Sequence, residues 1–325
     1  MKSFLAMGAR LMASALLRRP PGGALSSDPE EYGLFLAEPR ARERAKAIFQ
    51  AFFTGMEAAF RRPGSRQGPP ASLPPLFHPF FAEGTALGES VARRLLFRPH
   101  LSLQDGSFSL EEPFAFLRVI GVGFALSFFH PRSFRAAWLV SERFGNFGPL
   151  LADGYGFCAG LFRWRGDIQK TLRQLDDASG PERLCAVSGL GRSLWFRFMD
   201  RPEEALRVAR IPRDQDALAL LGGLGLASTF TFTDELERAY GVSSLLSGDE
   251  QKAFLKGIRI ALFVRHRDQD AFLKESIARQ ANGIRARAAA DLQVAIEAHE
   301  ATYEDPRYIY LFHERCLEAR SPPGA

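Results

Sequence analysis

Apolar residues recur along this chain at spacings of three and four, and the segments they define are punctuated by glycines at a near-constant interval. In 40–62 the positions Ala45, Ile48, Phe49, Phe52, Phe53, Met56, Ala59 and Phe60 fall on one helical face, and Pro63 ends it. A second helical stretch spans 76–97, with Pro79 expected to break it. From 109 onward two kinds of segment alternate. Type A is apolar and carries glycine, over 110–129, 147–163, 181–198, 213–229, 249–265 and 284–300. Type B is more polar, over 131–143, 167–177, 202–208, 234–246, 268–280 and 306–318. Ser179-Gly180-Pro181-Glu182, Asp200-Arg201-Pro202-Glu203 and Glu304-Asp305-Pro306-Arg307 each place a small or acidic cap before a first-turn proline, the pattern of a helix start.

The glycines set the phase. Gly121, Gly154, Gly189, Gly223 and Gly257 follow one another at steps of 33, 35, 34 and 34 residues, and the first four open a Gly-x-Gly pair. Gly88 and Gly55 extend the series backwards at steps of 33 without the second glycine. A fixed period of this length marks stacked supersecondary units. It predicts an all-α chain: an α-solenoid of about six to seven helix-pair repeats of about 34 residues. Residues 1–39 then form an amphipathic segment and loop, and 40–320 a single helical-repeat domain. A glycine costs roughly 1 kcal/mol relative to alanine inside a helix. Two per helix imply either close approach of a neighbour or room for a ligand.

Composition adds one unusual feature. The 325 residues are 46% hydrophobic and include 29 Phe against 6 Tyr and 3 Trp. That bias suits a thick helical core or a cavity for an oily ligand, because the rings bring no hydroxyl that must be satisfied. The net charge is +5, yet acids and bases are interspersed without a long basic run, so no nucleic-acid footprint is expected. Cys158, Cys185 and Cys316 form no close pair, which points to a reducing compartment and a cytoplasmic protein. Residues 1–19 alternate apolar residues with Lys2, Arg10, Arg18 and Arg19 and read as a helix that packs on the body or touches a membrane surface. Residues 217–233 carry no charge, but three glycines and four Ser/Thr favour burial as a type A helix over a membrane span.

Little of the chain carries chemistry openly. No Gly-x-Gly has the context of a phosphate loop, and the six histidines are scattered, so no cofactor and no metal are expected. Asp176-Asp177 with Glu182 approaches the spacing of a Mg²⁺-diphosphate cluster, but Gly180-Pro181 puts the third acid on another helix. Asp214-Gln215-Asp216 and Asp268-Gln269-Asp270 read as helix starts. Asp153, beside Gly154 in an apolar helix, and Arg192, inside Gly189-Leu-Gly-Arg-Ser-Leu-Trp-Phe196, are different. A charge on a small-and-aromatic face must be paired, and these two sit on neighbouring type A helices. Their pairing serves either as a strut or as a site.

Three segments, Asp153-Gly-Tyr-Gly-Phe157, Gly189-Leu-Gly-Arg-Ser-Leu-Trp-Phe196 and Leu221-Gly-Gly-Leu-Gly-Leu-Ala227, resemble in order and spacing the bacterial DUF1702 family. The likeness extends from Gly121 to the C-terminus. It departs from the family pattern at Cys158, where histidine is expected, and over 229–232. The resemblance implies natural-product biosynthesis, notably enediyne clusters, and no mechanism. Two functions follow as expectations. In the first, a polyene, polyketide or isoprenoid is held in a helix-lined hydrophobic pocket. Asp153 and Arg192 then do acid–base work of a cyclase or isomerase type, and Tyr155, Phe157, Cys158, Trp195 and Phe196 contact the substrate. In the second, the chain is a non-catalytic scaffold for a partner biosynthetic enzyme or carrier protein.

Overall fold

Seven long helices follow one another side by side in chain order: α1 (Pro39–Arg61), α2 (His78–Leu95), α3 (Ala115–Phe129), α4 (Gly148–Phe162), α6 (Gly180–Phe198), α8 (Asp214–Thr231) and α10 (Gly248–Ala278). Each packs against the one before it and the one after it. Three short helices, α5 (Ile168–Leu172), α7 (Pro202–Ala209) and α9 (Leu236–Ser243), occupy the later connections. Two more, α11 (Asn282–Glu300) and α12 (Tyr308–Glu318), pack on α10 and close that end. These positions come from a computed structural model that describes residues 28–62, 68–95, 112–131, 133–135, 141–164 and 166–319. The described residues are all-helical, without a strand. The amphipathic segment expected at 1–19 and part of the helix expected at 131–143 lie outside them.

The glycine pairs explain the stacking. Residues two apart on an α-helix point about 200° apart, so a Gly-x-Gly pair bares the backbone on opposite sides. In every pair the first glycine meets the preceding helix and the second the following one. Gly154 lies against the Ile120 carbonyl and Gly156 against that of Ala186; Gly189 returns to Asp153 and Gly191 goes on to Leu220. Gly223 and Gly225 meet Ser188 and Phe254, and Gly257 meets Gly222. The series reaches back to α1 and α2, where Gly55 meets Phe81, Gly84 meets Phe52 and Gly88 meets Met56. A methyl group at Gly156 would lie 1.7 Å from the Ala186 oxygen. Backbone contact at that spacing recovers dispersion that the missing side chains would otherwise supply.

Several expected boundaries shift. Pro79 lies in the first turn of α2, where its missing N–H is no loss, so it starts the helix instead of breaking it. The polar segment expected as a separate helix over 268–280 is set off from the first part of α10 by a break at Gln269 (φ −151°, ψ 49°), so α10 is two helices joined at a kink. The side chains there hold the kink in place. Arg265 donates to the carbonyls of Leu76 and Phe230, and Gln269 donates to that of Pro75, so the kink is tied to the start of α2. Asp268 stands directly before that break, where the second of the two helices was expected to start. Asp200, expected to cap α7, instead accepts from the N–H groups of Ala37 and Glu38 and holds the segment that leads into α1. Helix α8 is buried along most of its length, and no single described helix is long and apolar enough to cross a membrane. Together with the segment after it, α8 passes that test by length and composition, but the two are bent by 90°.

Candidate functional site

Asp153 on α4 and Arg192 on α6 do pair, and the structure adds a third member. Arg192 Nη1 donates to Asp153 Oδ1 at 2.5 Å, while Nη2 donates to Glu83 Oε1 at 2.7 Å. Glu83 comes from α2, so the three charges bridge helices that are not all neighbours in sequence. All three residues are buried, at 1% (Glu83), 7% (Asp153) and 3% (Arg192) exposure. The guanidinium also stands over the Phe157 ring, 4.5 Å from its centroid. Glu83 Oε2 is buried and has no hydrogen-bond partner, and neither does Arg192 Nε.

Two acids share one base here, so full ionisation would leave an uncompensated negative charge in an apolar interior. Burial raises the Glu83 carboxyl above the ordinary carboxylate range; the Arg192 charge opposes that shift and the Asp153 charge adds to it. Burial raises Asp153 as well, again against Arg192.

Glu83 also borders a small cavity of about 20 Å³. Its walls are Ile48, Phe49 and Phe52 of α1, Phe80 and Glu83 of α2, Phe124 of α3, Phe157, Leu161 and Phe162 of α4, and Phe196 of α6. Seven of the ten are phenylalanine, and Glu83 is the one with a charged side chain, although its carboxyl oxygens are covered and do not face the open space. The rings support each other: Phe157 meets Phe124 edge-on at 4.9 Å and stacks on Phe196 at 5.5 Å. Tyr32 stacks on Phe49 from outside at 5.0 Å. A space of this size holds about one water molecule.

Helical phase decides which of the expected contact residues reach this wall. Phe157 and Phe196 do, each four positions after a charge of the triad and so on its face. Tyr155 does not: its hydroxyl donates to the His130 carbonyl at 2.7 Å and its ring packs edge-on against Phe134. Trp195 Nε1 donates to Thr231 Oγ1 at 2.7 Å, and the indole meets Phe232 edge-on, away from the cavity. Cys158 is fully buried toward Ser127 and Arg163, and burial pushes its thiol up to about 11. Sequence reasoning missed Glu83. Glu83-Gly84 repeats the acid–glycine order of Asp153-Gly154, but it falls outside the 34-residue phase, which runs through Gly88.

The acidic pair at 176–177 has other duties. Asp177 accepts from Ser133 Oγ and from the N–H groups of Phe134 and Arg135, each at 3.0 Å, while Asp176 lies 3.6 Å from Arg183. Glu182 receives the Tyr310 hydroxyl at 3.2 Å. Among the described residues no group of three or more His, Cys, Asp or Glu side chains converges as a metal site.

An all-helical stack with a sealed acid–arginine–acid triad beside an aromatic cavity is the class of molecule defined by these features. The chain belongs to the DUF1702 family, described as proteins of unknown function, which it matches over residues 26–315. No curated protein and no solved structure matches it.

Proposed function

We propose that this chain is a natural-product biosynthesis protein that takes a hydrophobic polyene, polyketide or isoprenoid into the phenylalanine-walled space and acts on it as an acid–base cyclase or isomerase. The observation that carries this reading is the meeting of the two kinds of chemistry at one place. A charged, titratable triad lies directly behind a wall of seven phenylalanines that offers no other polar group. The repeated glycine contacts support a further reading of the stack as an α-solenoid of about 34-residue units, whose early members build the walls of the pocket.

A substrate of this kind needs far more than about 20 Å³, so the space must open. Helix α1 is the element suited to move, because it contributes Ile48, Phe49 and Phe52 to the wall. Its N-terminal end is fastened to the start of α9 and the segment before it by polar contacts. Arg44 binds Asp234 through two hydrogen bonds of 2.9 Å, Arg40 reaches Glu235 at 2.7 Å, and Arg238 reaches Glu38 at 3.3 Å. The Arg40 and Arg238 pairs are exposed enough to be worth about 0.2–1 kcal/mol each, while the two-pronged Arg44–Asp234 contact is mostly buried and is the one that entry must break.

The test is to purify the chain from its native host, extract it with organic solvent and identify what is released. A retained hydrophobic molecule, with conversion of that molecule lost in Asp153→Asn, is the expected result. A chain that releases no small molecule and binds none when offered hydrophobic extracts refutes the reading. A co-purifying protein partner in place of any small molecule would favour a scaffold.

A further inference from the structure

We infer that Glu83 is the proton donor of this site and that its substrate is a carbon–carbon double bond, with Asp153 and Arg192 as positioning residues. The inference rests on the proposed function above and assigns its acid to a residue of α2.

Three observations place the proton on Glu83. Of the triad, Glu83 alone lines the cavity, with its carboxyl oxygens covered in the closed space and brought to the wall by the opening that a substrate requires; Asp153 and Arg192 stand behind it. Each acid gives one oxygen to Arg192, but Glu83 Oε2 is left without a partner in a buried setting. An ionised oxygen left bare there would cost far more than a neutral carboxyl group. One proton on Glu83 makes the triad electrically neutral, with Asp153 balancing Arg192. Burial acts in the same direction on the carboxyl.

The walls select the substrate class. Apart from Glu83, every residue around the cavity has a hydrocarbon side chain, so a carbonyl, hydroxyl or phosphate entering it would exchange its water for at most the hydrogen bonding of one carboxyl group. An apolar group fits such walls better, and an apolar group that a carboxylic acid protonates is an alkene. In the step, the Glu83 O–H bond breaks and the π electron pair of the alkene forms the new C–H bond. The neighbouring carbon becomes a cation facing the phenyl rings, which stabilise it through their negative faces. A second double bond of the same molecule then attacks it to close a ring and leaves the charge on a new carbon, or no ring forms; in both cases a C–H bond adjacent to the cation breaks, its electron pair forms the product double bond and its proton returns to the Glu83 carboxylate. Atoms and electrons balance without an oxidant, a reductant or a cofactor.

The test uses the full chain with squalene, geranylgeraniol and all-trans-retinol as probes, in H₂O and in D₂O. Infrared spectroscopy of the ligand-free protein should show a neutral carboxylic-acid stretch that is lost in Glu83→Gln. It should be retained in Glu83→Asp, and its titration midpoint should fall in Asp153→Asn because Arg192 then faces Glu83 alone. Wild type should bind at least one probe and place deuterium on carbon, and Glu83→Gln should bind it equally while losing about a hundredfold or more in deuteration rate. If a probe binds but the infrared band or the deuteration survives in Glu83→Gln, Glu83 is not the donor and the binding reading stands. If a probe binds and wild type transfers no deuterium to it, the alkene assignment is overturned. If neither wild type nor Glu83→Gln binds any probe, the pocket reading falls and this inference falls with it.

Discussion

Replacing Gly189 by alanine tests the stacking directly. The added methyl would lie 1.8 Å from the Asp153 oxygen and 2.9 Å from the Phe157 nitrogen, where ordinary contact begins at 3.4 Å. Both neighbours are backbone atoms of α4, so no side chain can swing aside and the helices themselves must separate. Overpacking of this kind costs about 1–3 kcal/mol, and a rigid obstacle places it at the upper end. Alanine returns up to about 1 kcal/mol through its better helix propensity. The net expectation is a loss of about 2 kcal/mol, read as a lower urea midpoint at unchanged slope. Gly241 is the control, because it is exposed on α9 with nothing within 4 Å of its would-be methyl. There only the propensity term remains, and Gly241→Ala should stabilise by about 0.5–1 kcal/mol. If both substitutions stabilise alike, α4 and α6 do not touch along their backbones and the stacking argument is wrong.

The other expectations concern charges and thiols. Arg192→Leu leaves two buried acids without a counter-charge and should cost about 3–5 kcal/mol in a denaturant melt, whereas Glu83→Leu/Arg192→Met/Asp153→Leu should recover most of it; no recovery would show that the loss came from packing. Because burial raises the folded-state pKa of Glu83, its contribution to stability is present below the ordinary carboxylate range and is lost as pH rises through the raised value. The stability of Glu83→Gln relative to wild type should therefore climb as pH rises from about 4, and a flat difference across pH 4–8 would contradict the shift. Burial pushes the Cys185 and Cys316 thiols up to about 12 and Cys158 to about 11, so at pH 8 all three should resist alkylation until the chain unfolds. Rapid labelling of native protein would overturn that burial. Arg44→Ala removes the strongest fastening of α1 and should speed the uptake of a hydrophobic probe several-fold in stopped-flow fluorescence; an unchanged rate would mean that α1 is not the entrance.

The spacing of glycines made the side-by-side order of α3, α4, α6, α8 and α10 legible, because close packing of backbones leaves a direct mark on composition. The Asp153–Arg192 pair was legible for a related reason: a charge among glycines and aromatics has few ways to be satisfied. Glu83 was not, since a glutamate in the middle of an amphipathic pattern reads as solvent-facing until tertiary packing covers it. The polar connections misled in another way. The helices expected over 167–177 and 234–246 shrink to α5 and α9, each beside a 3-10 turn, whereas the one expected over 202–208 is α7 almost residue for residue and the one over 268–280 follows the break at Gln269. Local pattern sees propensity but not the reach of Arg265 to the carbonyls of a distant turn. Tyr155 and Trp195 were separated from Phe157 and Phe196 only by helical phase, which a four-residue rule counted from each charge resolves.

The carbonyls of both acids are themselves contact points of the glycine series. Gly121 presses on the oxygen of Glu83, Gly189 on that of Asp153, and Gly223 lies against Ser188 and the nitrogen of Arg192. The spacing of the main chain beneath the two acids is thus inherited from how tightly the helices nest. Such an anchor leaves little freedom to retune the charges one residue at a time. Any change in the shape of the cavity would have to be written in the size and tilt of the surrounding rings, with the ionic centre carried along unchanged.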